Sequence, residues 1–160
     1  EFRRVLFRSI ITKANIEAEV KKARIISNAK LSVRNDMLRA KQDVISKVFN
    51  EAIEKLQNLS NGDYKYYVIS TLDSLELEGT EVIIINEKDK DIFSNEFLEA
   101  LNKELESKGK KGSITLNMEG KFNGGFILDR NGIQINNTFE ALINSLRGEL
   151  EFEVNKVLFD

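Results

Sequence analysis

Between Ile10 and Leu59, apolar and small side chains return every eleven residues. Ala18, Ala29 and Ala40 form one series, and Ile26, Met37, Val48 and Leu59 a second. Val33 and Val44 form a third, and Ile45 and Leu56 a fourth. No glycine or proline interrupts the stretch, and most of the intervening residues are strong helix formers. Eleven residues in three turns is about 3.67 per turn, slightly more than a free helix, so a partner following this stripe winds right-handedly. Lys22, Asp36 and Lys47 break the series, and a heptad is also drawn locally through Ile45, Ala52 and Leu59.

Fifty residues of helix span roughly 75 Å, more than the width of the domain of about a hundred residues that follows. A stripe of that length needs a second chain to cover it. The expected seam is Ala18, Ile26, Ala29, Val33, Met37, Ala40, Val44 and Val48, on an extended coiled-coil helix at 10–60. Its small residues allow the two backbones to approach closely.

The pattern then shortens. Asn58-Leu-Ser-Asn-Gly-Asp63 is a turn, with Gly62 as helix stop and Asp63 as the next N-cap. A helix is predicted over about 64–77, with Tyr64, Tyr67, Val68, Thr71, Leu72 and Leu75 on one face. Glu81-Val-Ile-Ile-Ile85 reads as a central strand. A helix over 91–107 turns Ile92, Phe93, Phe97, Leu98, Leu101 and Leu105 inward, and Ile114, Leu116 and Met118 alternate as a half-buried strand. Asn131-Gly132 is a strong two-residue hairpin signal, because both positions of a type I′ turn need positive φ. That register opposes Leu128 to Ile135 and Arg130 to Ile133, and places Phe126, Leu128, Ile133 and Ile135 on one core-facing side. Gly124-Gly125 marks a bulge or close backbone approach at the strand start. Asn137, with Glu140 three residues on, caps a final helix whose stripe is Phe139, Leu142, Ile143, Leu146, Leu150, Val154, Val157 and Leu158. The expected fold is α+β: a long N-terminal coiled-coil helix, then a compact α/β domain at 63–160 with a mixed sheet, a β-hairpin and packing helices.

Composition removes most chemistry. The chain has 160 residues, 41% of them hydrophobic and 31% charged, and contains no histidine and no cysteine. The commonest general base, the thiol nucleophile and most transition-metal sites are therefore absent. No disulfide framework exists, and no apolar run approaches the length of a membrane span. The net charge of −2 is unevenly divided: 10–60 hold ten basic and six acidic side chains, 61–160 eleven basic and nineteen acidic. Such asymmetry suggests two regions that meet different partners. The first nine residues, Glu1 to Ser9, resemble the translation of a cloning site and adapter and are set aside from fold reasoning.

Few residues are candidates for a ligand. Gly124-Gly125 lacks the Lys-Ser/Thr ending of a phosphate loop and is followed by a strand, so it reads as architecture. Glu87, Asp89 and Asp91 follow the central strand, where three carboxylates suit Mg²⁺, but no phosphate-binding element accompanies them. They read as a solvated capping loop. Lys108, Lys110 and Lys111 make a small basic loop without interleaved aromatics. Phe122, Phe126 and Phe139 read as packing, and Tyr64, Tyr66 and Tyr67 divide between core and surface. No catalytic residue, cofactor site or metal site is expected.

Three segments carry a resemblance. Gly124-Gly-Phe-Ile-Leu128, Gly132-Ile-Gln-Ile-Asn-Asn-Thr-Phe-Glu-Ala141 and Val157-Leu-Phe159 resemble the E-type stalk chain of the V-type (A/V-type) rotary ATPases and ATP synthases. The upstream helix, with Ile16-Glu-Ala-Glu19 and its spaced alanines, is similar to the same family. One departure is visible: many members carry Arg-Leu after the Phe-Glu-Ala, where this chain has Leu142-Ile143. The resemblance implies a non-catalytic peripheral-stalk (stator) subunit of a proton- or sodium-translocating enzyme, without nucleotide or other cofactor. It implies that the long helix pairs with a second stalk chain of the G/H type in a right-handed coiled coil. It further implies that the C-terminal domain docks on the catalytic head and that the N-terminal end reaches toward the membrane stator subunit. The location implied is cytoplasmic, held at the membrane through the complex without insertion.

Three alternatives keep different consequences. A stator-like regulator of a flagellar or type III export ATPase shares the helix-plus-domain plan. A nucleic-acid adaptor would use the basic helix and bind with strong salt dependence. A carboxylate-dependent metal enzyme would bind Mg²⁺ near Asp89.

Overall fold

A computed structural model describes residues 1–159, arranged as two compact units, Glu1–Ser46 and Lys47 onward. The first unit is helical from Phe2 on, and helix α1 runs without a break over Phe2–Gln57. The last turns of α1 fall within the second unit, where Phe49 is buried and Leu56 and Leu59 pack against the core. The helix then closes through tightened bonds, Asn58 N to Lys55 O at 3.2 Å and Leu59 N to Leu56 O at 3.3 Å.

Shorter elements build the rest. Helix α2 spans Asn61–Ser74, strand β1 Val82–Ile84, helix α3 Asn95–Ser107 and strand β2 Thr115–Asn117. Strands β3 (Gly125–Arg130) and β4 (Ile133–Thr138) form the hairpin, and helix α4 covers Phe139–Phe159. The four strands make one mixed sheet in the order β2-β1-β3-β4. β1 and β2 are parallel, joined through α3, and the other two pairs are antiparallel. Asn102 of α3 clips the start of β2, accepting from Ile114 N at 2.8 Å and donating to Ile114 O at 3.1 Å.

The hairpin has the register read from its turn: Leu128 opposes Ile135 and Arg130 opposes Ile133. Asn131 and Gly132 take φ of 52° and 86°, as a type I′ turn requires. One sheet face carries Ile83, Leu128 and Phe126 into a core shared with Tyr64, Val68 and Leu72 of α2 and Leu105 of α3. Phe93 is the aromatic centre, edge-on to Phe97 and Phe126 with centroids 5.9 Å apart in both cases, and to Tyr64 at 6.5 Å.

Several local expectations need correction. The α2 N-cap is Ser60, whose Oγ accepts from Asp63 N at 3.2 Å and donates to the Asp63 carboxylate at 2.6 Å. Gly62 therefore lies inside α2 and is not the stop of α1. Two capping residues stand three apart, and the arrangement that satisfies both side chains prevails. For α4 the cap is Thr138, whose Oγ1 accepts from Ala141 N at 3.2 Å, because Asn137 remains in β4 opposite Phe126. Helix α3 starts only at Asn95, behind the cap Ser94, so Ile92 and Phe93 enter the core from a turn. β2 ends at Asn117, which leaves Met118 49% exposed. Ile133, expected in the hairpin core, is 70% exposed: it opposes Arg130 at the turn end, past the core. Phe126 and Leu128 are fully buried, and Ile135 packs half-buried against the same cluster.

Candidate partner-binding surfaces

The helix of the first unit carries its apolar residues outward. At 100° per residue, Ala18, Ile26, Ala29, Val33, Met37, Ala40, Val44 and Val48 fall within about a third of the circumference. Seven of the eight are exposed in the chain alone, and Val48 is half-buried. A shallow trough at Val33, Met37 and Leu38 is bordered by Lys30, Arg34 and Lys41, so the apolar floor has a basic rim.

A second set extends the local heptad upstream, which was not expected. Leu31, Leu38, Ile45, Ala52 and Leu59 stand seven apart, about a third of a turn round from the first stripe. The local heptad read from the sequence covers its last three members only, and the eleven-residue beat only Ile45 and Leu59. Ile45 is 2% exposed and Leu59 packs on the core, whereas Leu31 and Leu38 are exposed. The signal for it lies in the unbroken heptad spacing of leucines upstream of Ile45.

In the second unit the hairpin entrance is held by a polar and aromatic clasp. Gly125 N donates to Tyr64 Oη at 2.6 Å, and Tyr67 Oη donates to Asn137 O at 3.0 Å. The Phe139 ring lies between the two tyrosines, with centroids 5.1 Å from Tyr64 and 5.3 Å from Tyr67. Gly124 and Gly125 both have φ above +80°. A Cβ on Gly124 would come within 2.4 Å of the Phe139 ring, and one on Gly125 within 2.4 Å of Asn137 O. The glycine pair is thus a close backbone approach, and the Gly125 N–H is committed to tyrosine and not offered to an anion.

Glu81 is the one fully buried charge among the described residues and was not foreseen, since it stands at the head of an apolar strand. Its carboxylate accepts from the backbone N–H of Glu78 at 2.6 Å, Gly79 at 2.8 Å and Thr80 at 3.0 Å. Arg130 approaches with Nη2 at 3.1 Å and Nε at 3.2 Å and also bonds the Glu76 carbonyl. Burial pushes the Glu81 pKa up, and the backbone donors with Arg130 outweigh it, so the carboxyl sits below its ordinary value.

The acidic loop divides. Glu87 and Asp91 are exposed, while Asp89 is half-buried and its Oδ2 is buried without a hydrogen-bond partner. Burial raises the Asp89 pKa, and the Tyr64 hydroxyl and Lys88 act against that rise. Among the described residues no three carboxylates group closely enough to hold a metal ion. In the basic loop, Lys108 pairs with Glu104 at 2.5 Å, and Lys110 and Lys111 share a cleft with Glu76 and Glu78. The loop's charge is answered by its own acidic neighbours.

The last helix leaves the core progressively. Phe139 is fully buried, Leu142 and Ile143 are half-buried, and Val157 is 82% exposed. Midway, the Arg147 guanidinium lies over the Phe49 ring, 5.2 Å from its centroid. Among the described residues no helix is long and apolar enough to cross a membrane.

A family model described as ATP synthase (E/31 kDa) subunit matches residues 3–159. The chain is similar to the E-type chain of a V-type ATP synthase from Clostridium botulinum strain Hall, with 52% identity over 144 residues, 89% of this chain and 72% of that protein. It is also similar to the E-type chain of a V-type proton ATPase from Clostridium botulinum strain Eklund 17B. There the identity is 49% over 151 residues, 94% of this chain and 76% of that protein.

Proposed function

Since the chain belongs to the ATP synthase (E/31 kDa) subunit family and is thereby part of a V/A-type ATPase, we propose that it is a non-catalytic stator component of the enzyme's peripheral stalk. The observation that carries this is the exposed stripe from Ala18 to Val44 on a helix of 56 residues. A stripe of alanine, valine, isoleucine and methionine left in water costs about 25 cal/mol for each Å² that a partner helix would cover. The basic rim of Lys30 and Arg34 suits a partner with acidic residues beside its own seam. The second stalk chain, of the G/H type, is the occupant. The compact second unit then docks on the catalytic head, and the membrane stator subunit meets the N-terminal end. The ion moved is a proton or sodium and is handled by other subunits. This chain binds no nucleotide, in keeping with a Gly124-Gly125 pair that lacks the Lys-Ser/Thr ending of a phosphate loop and gives its N–H to Tyr64, and it sits on the cytoplasmic side, held at the membrane by its neighbours.

Mixing the chain with its second stalk chain is expected to give a 1:1 complex with more helix than the sum of its parts. Ala29→Glu places a charge in the centre of the stripe and weakens pairing by about tenfold or more. Asn35→Glu, on the opposite side of the helix, leaves it within about threefold. Absence of a heterodimer at micromolar concentration, or equal losses in both variants, refutes the assignment.

A further inference from the structure

Strand β4 is an edge strand with none of the usual protections. It lies at the end of the sheet order β2-β1-β3-β4, and among the described residues no strand lies beyond it. Natural edges are guarded by lysine, proline, a bulge or shortness. The opposite edge, β2, is only three residues long. β4 is six residues, Ile133-Gln-Ile-Asn-Asn-Thr138, without a charge, a proline or a bulge in its register.

The register says which groups are open. In a two-residue hairpin the pair beside the turn, Arg130 with Ile133, exchanges both hydrogen bonds, and bonded pairs then alternate. Leu128 with Ile135 and Phe126 with Asn137 are the next bonded pairs. Gln134 and Asn136 therefore direct their N–H and C=O groups away from β3. Among the described residues no backbone bond outside the ladder uses these four groups. Thr138 N, which would be next, is already closed by Asn136 Oδ1 at 3.0 Å. Beside the open groups, Ile133 presents an exposed apolar side chain on one face. On the other face Gln134 holds Asp129, its Nε2 donating to Oδ2 at 3.2 Å.

We propose that β4 receives an extended segment of a head subunit as a fifth strand, with Gln134 and Asn136 supplying the backbone bonds. The segment alternates apolar residues, which cover Ile133, with basic ones, which face Asp129. Charge selects this occupant over a second copy of the chain. Residues 61–160 hold nineteen acidic against eleven basic side chains, so two copies of this unit repel as they approach while a basic segment is attracted to the unit and to Asp129 beside the uncharged edge. The inference rests on the docking of the second unit on the head, and it deepens that proposal to a named strand.

The test is amide hydrogen exchange on the full chain, free and bound to its cognate catalytic head stripped of stalks. The expected result is that exchange at Gln134 and Asn136 slows by about tenfold or more on binding, while Ile127 and Leu128, already in the ladder, change little. Gln134→Pro removes one outward N–H without touching the β3 ladder, and Ile133→Lys charges the ledge. Each is expected to weaken head binding by about tenfold with an unchanged melting curve. Head binding that leaves both amides in fast exchange overturns the strand proposal alone. No binding at all overturns the docking proposal with it. Protection in the free chain together with sedimentation as a dimer assigns the edge to a second copy and overturns the heterologous partner.

Discussion

Arg130 reaches across from β3 to the buried carboxylate of Glu81, with Nη2 3.1 Å from Oε1. The pair ties the end of the hairpin to the loop that enters β1, and three backbone N–H groups complete the shell of the carboxylate. Arg130→Ala leaves Glu81 buried without its cation. The expected loss is about 3 kcal/mol, the lower end for breaking a buried pair because the arginine is partly exposed. Urea unfolding at neutral pH measures it.

The same carboxylate gives a pH signature. Its folded pKa lies below the ordinary value, so its contribution to stability is present above about pH 4.3 and is lost as pH falls through the lower folded value. A series of urea melts from neutral to acid pH is expected to show this loss below about pH 4. Glu81→Gln, already lower in stability at neutral pH, is expected to show a shallower acid slope.

Tyr64 and Tyr66 separate a clasp residue from a surface one. Tyr64→Phe removes the acceptor of Gly125 N and leaves a buried donor open, with an expected cost of about 1–3 kcal/mol. Tyr66 is exposed, and Tyr66→Phe is expected to stay within about 0.5 kcal/mol. Thermal melts of the two variants side by side decide this.

Glycine replacement sorts the same way. Gly124→Ala forces a Cβ onto the Phe139 ring at positive φ and is expected to destabilise by more than about 1 kcal/mol. Gly148 lies within α4 with nothing near a built Cβ, so Gly148→Ala is expected to stabilise by roughly 0.5–1 kcal/mol. Opposite signs in denaturant midpoints are the expected observation.

The hairpin face offers a paired measurement. Phe126→Ala empties a fully buried site and is expected to cost about 3–5 kcal/mol. Ile133→Ala, on the same face but exposed, is expected to change stability by less than about 0.5 kcal/mol. Urea midpoints of the two variants measure the difference.

Much of this fold was legible because some signals are stereochemically exclusive. Asn131-Gly132 fixed the turn, and the turn fixed the register of Leu128 on Ile135, since few other residue pairs accept two positive φ values. The long run without glycine or proline from Ile10, dense in helix formers, was legible through summed propensity. Caps were less legible. Ser60 and Asp63, or Asn137 and Thr138, are all capping residue types, and the choice depends on which neighbour the sheet or the preceding turn has already claimed. Burial was least legible where an apolar residue stands past the core, as Ile133 and Met118 do, because alternation states a face and not how far the covering layer extends. Glu81 gave no signal because its partners, the three N–H groups of a loop and Arg130 forty-nine residues on, are created by the fold. The seam from Ala18 to Val48 rests on period alone, and its occupant is the proposal that pairing experiments address.

From Phe2 to Gln57, α1 contains neither glycine nor proline, where helices usually kink. A sideways load on it finds no joint. It is spread as a slight curvature over many turns, each hydrogen bond on the convex side lengthening a little, and it is released when the load is removed. In the proposed stalk, such a helix would work as a leaf spring and not as a hinge, returning what it takes up in bending.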